Sequence, residues 1–426
     1  MELFIVLAVL FGLLILRVPI FVSIGVATIV GVLLEPKLTV IEVVRNSITG
    51  IDSLVLFAAP LFVLAGNLIL VGGVSRRLIA WVDMLFGVSR FRLAYTNVFG
   101  SMFFGGISGS ATADSAAIGS VLVPEMRRQG YPTAYAAAVT ASSSAIGIIV
   151  PPSVPMILAG AATSVSVSKL FVGGYGPGLL IACSLALVAF LRRPKTLVVE
   201  RIAWSWRAMS DLTLRAFPAL VFPAIIMVGI LGGVFTATEA AAVAVVYSLI
   251  VASLIYKQMS LKTLLRSLAE SALFAAIVFA IVATAQAFGR YLTFVRVPQR
   301  LADFMLGVSD QDFVVILMMI LLLLVIGTFL ETVPIVLVLY PILEPVAVGV
   351  GMDPIHYGVT FMSAIAVGLL TPPYGVLLFV NSKIAGIPSA ELIRAVVPFV
   401  MVLIVDVLII AFVPGIVMGP VNLFFD

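Results

Sequence analysis

The sequence predicts an all-α polytopic membrane protein, and three observations lead there. Of its 426 residues, 62% are hydrophobic and only 10% are charged, far from the roughly 25% charged residues of soluble domains. The mean hydropathy is +1.27. Apolar runs such as 2–16, 218–234 and 314–326 are too many and too long for the core of a water-soluble fold.

About ten membrane crossings are predicted, at 2–16, 18–34, 52–75, 133–168, 170–191, 217–234, 239–256, 270–289, 356–387 and 392–413. The first run lacks a basic flank and a small-residue cleavage site, so it reads as a retained helix and not a removed signal. Segments 93–124 and 312–347 each carry a polar break near the middle and return to the side they came from, as re-entrant hairpins do. With this arrangement eighteen of the 24 basic residues, among them Arg76, Arg77, Arg127, Arg128, Arg192 and Arg193, share one face. The richer face is cytoplasmic, which places both termini in the periplasm. The net charge of +4 and a pI near 9.2 follow from that bias, and no nucleic-acid partner is implied. The linker 192–216 is too charged to span and reads as a cytoplasmic interfacial helix. Trp81, Trp204 and Trp206 fall in loops at the interface, as anchors. Cys183, the single cysteine, lies in an apolar stretch and reads as a small buried hydrophobe.

An internal repeat organises the chain. Gly106, Pro124, Gly130, Gly147, Pro151 and Pro152 recur as Gly327, Pro345, Gly351, Gly368, Pro372 and Pro373, each 221 residues on, without a gap. Before each hairpin stand two crossings, an amphipathic stretch ("EPKLTVIEVVRNSITG", "YKQMSLKTLLRSLAE") and a third crossing. The first stretch falls outside and the second inside, so residues 1–191 and 217–426 are expected to be inverted repeats. The expected moving part is 93–168 with 312–387, and the remainder is the expected static scaffold.

Four breaks interrupt this apolar chain: Ser108 to Asp114, "IIVPPS" at 148–153, Thr328 to Pro334, and "LLTPPY" at 369–374. Backbone without hydrogen bonds cannot face lipid, so these breaks must be enclosed or line a wet cavity. Proline pairs remove amide donors and free the carbonyls of the preceding turn. Free carbonyls, helix C-terminal ends and hydroxyls make an all-oxygen shell suited to Na⁺. One expected site joins Ser108 and Ser110 to the carbonyls of Gly147, Val150 and Pro152; the other joins Gly327 to Gly368, Thr371 and Tyr374, giving at least two Na⁺. The returning half-helices, starting near Thr112 and Val333, point positive dipole ends inward, which favours an anionic substrate.

Other residues carry two readings each. Glu331 stands at the second tip where the first has Ser110, and either couples or gates substrate or caps the hairpin. Asp114 reads as a carboxylate neutralising the amides of the helix start, beside a gating role shared with Thr112, Thr328 and Thr332. Ser142, Ser143 and Ser144, with Ser363 at the repeat offset, either pack helices or line a cavity. His356 reads as a start-of-helix residue. With one histidine and no HExxH-like pair, an intramembrane hydrolase has no base or metal centre. A passive channel also uses enclosed non-helical backbone, but paired inverted hairpins suit alternating access.

The stretches "GGISGSATADSAAIGSVLVPEMRRQGY", "PILEPVAVGVGMDPIHYGV" and "TPPYGVLLFV" resemble the large membrane subunit of tripartite ATP-independent periplasmic (TRAP) transporters, over essentially the whole chain. The resemblance implies a bacterial inner-membrane secondary transporter of the ion-transporter superfold that works as an elevator. It implies an organic acid anion, such as a C4-dicarboxylate or sialic acid, delivered by a periplasmic binding protein, a small membrane subunit on a separate chain, and Na⁺-driven uptake, with a proton-coupled carboxylate transporter of the same fold as the alternative. It also carries the family's sodium positions onto Ser108, Gly147, Val150, Pro152, Gly327, Gly368, Thr371 and Tyr374.

Overall fold

The computed structural model describes residues 2–89, 91–194, 202–308 and 311–425. Among the described residues there are twenty α-helices and no strand. They are α1 (Glu2–Ile15), α2 (Ile20–Leu34), α3 (Val40–Ile51), α4 (Ala58–Val71), α5 (Val74–Leu85), α6 (Arg92–Ser108), α7 (Ala111–Arg128), α8 (Thr133–Ser144), α9 (Val154–Ala162) and α10 (Val167–Leu191), followed by α11 (Trp206–Leu231), α12 (Ala237–Ile250), α13 (Leu261–Phe294), α14 (Val297–Val308), α15 (Asp312–Phe329), α16 (Thr332–Gly349), α17 (Pro354–Gly368), α18 (Val376–Ala385), α19 (Ser389–Phe412) and α20 (Gly415–Phe425). Eight described segments are long and apolar enough to cross a membrane. Six fall on expected crossings, and the other two are α15 and α16, the halves of the segment expected as a hairpin. Two expected crossings, α1 and α2, have only 14 and 15 residues.

The 221-residue offset reappears in the helix bounds. Helix α7 maps onto α16 at both ends, the last residue of α6 maps onto that of α15, and α8 and α17 start in register. Gly130 and Gly351 both take positive φ, +86° and +79°, in the tight turn that joins these helices. Both proline pairs interrupt a helix. Helix α8 gives way to a 3-10 turn at Ala145–Ile148 and resumes as α9, while α17 stops at Gly368 and resumes as α18. The two peptide bonds Pro151-Pro152 and Pro372-Pro373 are cis.

Three expectations change. The linker is not a separate interfacial helix: residues 206–216 are the first three turns of α11, capped by Ser205, and residues 195–201 lie outside the described residues. Pro218, which opens the apolar run 218–234, sits inside that helix. From Leu261 on, the stretch "YKQMSLKTLLRSLAE" likewise runs unbroken into the next crossing as α13, 34 residues or about 51 Å long. It contains no counterpart of the Gly50–Ser53 segment that ends α3. Finally, Trp81 is not a loop anchor. It lies on α5, donates from Nε1 to Thr213 Oγ1 at 3.1 Å and meets Phe103 edge-on, so it ties the start of α11 to α5.

Packing groups the helices, with contacts that also join the groups, α5 on α6 and α13 on α16. One set pairs α1 with α2, α2 and α3 with α13, α4 with α12 and α13, and α11 with α5 and α12. The other interleaves the two repeats: α9 packs on α16, α18 on α7 and α8, and α15 on α17. Helices α10 and α19, expected in the scaffold, pack on this second set, α10 on α6 and α17 and α19 on α8 and α17. The cause lies in the small face of α10. A Cβ at Gly174 would stand 2.2 Å from the Ile149 carbonyl oxygen, and one at Gly178 would stand 2.4 Å from Val150. Only glycine lets α10 lie this close to the first break. Cys183 on the same helix is exposed and not buried, because apolar neighbours along a membrane helix do not say which face turns outward.

Candidate functional site: a cavity between two hairpin tips

The tips of the two hairpins meet at a single cavity of about 300 Å³. Ser108 to Ala113 line it from the first tip, Glu331, Thr332 and Val333 from the second, Val154 and Pro155 from the start of α9, and Val376 from the start of α18. The far wall comes from the other set of helices, through Val63, Gly66, Asn67 and Leu70 of α4 and Phe274 of α13.

The first residues of α7, α9, α16 and α18, namely Ala111, Val154, Thr332 and Val376, all line this space. Each helix start carries orphan amide donors and about half a positive charge. Four of them around one cavity make it an anion-binding environment. Its described lining includes no Lys, Arg or His, so recognition falls to amides and to the hydroxyls of Ser108, Ser110, Thr112 and Thr332. Ser110 is the N-cap of α7, its hydroxyl accepting from Ala113 N and sharing a 3.1 Å bond with Thr112. At the equivalent N-cap of α16, Glu331 makes no capping bond and is exposed. Its carboxylate is therefore available to the cavity.

Beside the first tip the break is fully buried from Pro151 to Ser153. A Cβ at Gly105 would stand 2.8 Å from the Cα of Gly147, and one at Gly109 would stand 2.7 Å from the Pro152 carbonyl oxygen. Gly109, at φ +60°, accepts from Val154 N and so fastens the tip to the start of α9. Ser108, Ser110, Gly147 and Pro152 are thus gathered in one place. Val150 is buried in the same break.

The second break is similar in chain path and different in setting. A Cβ at Gly327 would stand 3.0 Å from the Cα of Gly368. Here the close pair uses the residue equivalent to Gly106, whereas the first site uses Gly105, so the two contacts are out of register by a residue. The Gly368 carbonyl accepts from Thr371 N, and the Thr371 hydroxyl donates to Val367 O at 2.8 Å. Lone pairs remain on both oxygens. Tyr374 is 58% exposed and lies 5.6 Å from the ring of Phe329.

Several candidate residues lie away from the cavity. Thr328 and Ser363 bond their own helices through Leu324 O and Val359 O. Ser143 and Ser144 are buried in a network with Asn97 and Thr140, and the Ser142 hydroxyl is buried without a partner. Asp114 is not the N-cap, a place that Ser110 holds; it lies fully buried in the first turn of α7. His356 is structural, with Nε2 bonded to Ile410 O at 2.8 Å. Sequence reasoning missed Asn67, whose Nδ2 donates to Ser271 Oγ at 3.3 Å while the residue lines the cavity. A lone amide within an apolar crossing was the available signal. It also missed the starts of α9 and α18.

The DctM component of the tripartite ATP-independent periplasmic transporters matches this chain over residues 7–416. The chain is 35% identical over 425 residues to an isethionate TRAP transporter permease protein, DctMQ, of Oleidesulfovibrio alaskensis, covering 97% of this chain and 66% of that relative. It is 38% identical to the C4-dicarboxylate large permease DctM of Pseudomonas aeruginosa, over 85% of this chain and 84% of that one. With the sialic acid large permease SiaM of Vibrio cholerae it shares 35% identity, over 87% of each. Among solved structures, the Alcanivorax borkumensis YdaH transporter superimposes with a TM-score of 0.58 at 17% identity, covering 89% of this chain and 88% of that one. That likeness concerns the fold. The family match and the relatives reach across nearly the whole sequence, so the chain belongs to the TRAP transporter family as a large permease subunit, a transport protein and not an enzyme.

Proposed function

We propose that this subunit carries out Na⁺-coupled uptake of an organic acid anion across a bacterial inner membrane, with both termini in the periplasm. The substrate is delivered by a periplasmic binding protein, and a small membrane subunit on a separate chain completes the permease. The observation that carries this reading is the convergence of four helix starts on a cavity whose lining includes no basic side chain. Relatives named for isethionate, C4-dicarboxylate, sialic acid and 2,3-diketo-L-gulonate transport support an anionic substrate.

The two repeats are inverted, and each contributes one Na⁺ site. Ser108 and Ser110 with carbonyls of Gly147, Val150 and Pro152 hold one ion, and Gly327, Gly368, Thr371 and Tyr374 hold the other. Ion binding draws each tip onto its break and so shapes the cavity for the anion. The body that moves is α6–α10 with α15–α19, larger than the sequence alone suggests, against α1–α4 and α11–α13. A groove beside the cavity shares Leu70 and Ala113 with it and carries Arg76 and Arg77. It is the exit toward the basic, cytoplasmic face.

The test is uptake into proteoliposomes holding this chain and its small subunit, with binding protein and labelled anion outside. Saturable uptake that needs an inward Na⁺ gradient is expected. Ser108→Leu and Thr371→Leu should each abolish it. Equal uptake under a proton gradient alone, or sodium dependence unchanged in both variants, would overturn the sodium assignment.

A further inference from the structure

The groove that adjoins the cavity has a volume of about 840 Å³. One wall is the start of α5, with Ser75, Arg76 and Arg77; the facing wall is α7, through small residues such as Ala113 and Ala116. Its described lining holds two arginines and no Asp or Glu. The two arginines differ. Arg77 is committed to the fold: its Nη1 donates to Gly72 O at 2.8 Å and to Gly73 O at 3.0 Å, and its guanidinium lies 3.8 Å from the centre of the Tyr256 ring. It thereby satisfies carbonyls in the turn after α4 and ties that turn to the segment beyond α12. Arg76 is exposed and makes no hydrogen bond, ion pair or ring contact with any described residue. Ser75 and Gln258, which line the groove beside it, also have side chains without a hydrogen bond to a described residue. At the repeat offset Arg76 becomes Val297, so this charge has no twin in the second repeat.

An unpaired cation on a concave surface without acidic neighbours concentrates anions there. The cavity next to it, which shares Leu70 and Ala113 with the groove, offers an anion only amides and hydroxyls. Arg76 offers a full charge in a wider, wetter space, where a guanidinium–carboxylate pair is weak and separates readily. We propose that Arg76, with Ser75 and Gln258, forms a second anion subsite, which takes the carboxylate end of the transported anion as it leaves the cavity. The part played in release rests on the transport reading above; the binding of a carboxylate at Arg76 does not.

The subsite is tested on the full chain purified in detergent, with Ala116→Cys placed on the facing wall in a Cys183→Ala background. A sulfonate-bearing methanethiosulfonate should label this cysteine faster than a trimethylammonium-bearing one, and succinate should slow the labelling. Arg76→Gln should lower the ratio of the two rates about threefold and remove the protection by succinate, whereas Arg76→Lys should keep the ratio. Protection that survives Arg76→Gln, or none in the protein that retains Arg76, overturns the subsite. Release is read separately in proteoliposomes that hold the small subunit and have binding protein outside. Unlabelled anion inside should inhibit uptake, and Arg76→Gln should raise the internal concentration for half-inhibition about fivefold, a larger change than in the KM for external anion. Equal shifts on the two faces overturn the release role while the labelling result stands, and absence of uptake by the unaltered protein counts against the transport reading and leaves the subsite to the labelling.

Discussion

At the scale of single residues, the break sites depend on backbone contact that any side chain would prevent. Gly368→Ala would place a methyl 2.7 Å from the Gly327 Cα. It should cost about 1–3 kcal/mol of stability and abolish uptake, whereas Gly349→Ala, with open space around it, should leave both unchanged; thermal unfolding in detergent and liposome uptake measure the pair. Glu331 faces the cavity with a negative charge and no structural bond. Glu331→Gln should therefore lower KM for an anion about fivefold, the equivalent of about 1 kcal/mol of relieved repulsion at water-like screening. An unchanged or higher KM would instead mark the carboxylate as part of the coupling machinery. Glycines and prolines were readable in the sequence because their effect is local. Asn67 was missed and Cys183 misread, since each depends on which way its side chain turns within an apolar helix.

At the scale of elements, the break beside α9 is held by one hydroxyl. Ser153 accepts from Met156 N as the N-cap and donates to Ile148 O at 2.6 Å, bridging the two halves of the broken helix. Ser153→Ala should cost about 1–2 kcal/mol, seen as a lower Tm, and Ser153→Thr should restore most of it. Helices α5 and α6 are joined by the ion pair of Asp83 and Arg92, with Thr96 Oγ1 donating to Asp83 at 3.0 Å. Burial pushes the Asp83 carboxyl above its ordinary value, although Arg92 and Thr96 draw it back. A folded-state value above the unfolded one means the folded chain holds more protons within that window, so Asp83's contribution grows as pH falls and is lost as pH rises through it. Arg92→Met removes the cation and should cost about 3–5 kcal/mol at pH near 8. Part of that loss should return on acidification, as the carboxyl becomes neutral; unfolding measured across pH checks the sign. The positions of breaks and tips were legible, whereas the continuity of α11 and α13 was not. Charge on a segment indicates that it lies near water, but it does not stop a helix that begins at a good cap, and α11 continues even through Pro218 and Pro223.

For the whole molecule, the elevator reading requires the hairpin tips to slide past α4. Leu70 of α4 and Ala113 of the first tip line both the cavity and the neighbouring groove. In a Cys183→Ala background, Leu70→Cys with Ala113→Cys, bridged by a short reducible reagent, should stop uptake, and reduction should restore it. Full uptake with the bridge intact would show that α4 and the tip keep their places throughout the cycle. The sequence by itself determined the membrane class, the repeat at 221 residues, the proline breaks and the family, because hydropathy, spacing and backbone chemistry are properties of the chain read in order. Tertiary structure alone decided that four helix starts share one cavity, that α10 and α19 pack on the hairpin and broken helices of the second set, and that Asp114 is fully buried. In lipid both faces of a helix are apolar, so hydropathy cannot say which face meets protein; close approach at glycines and the direction of hydrogen bonds settle it, and those exist only once the helices have packed.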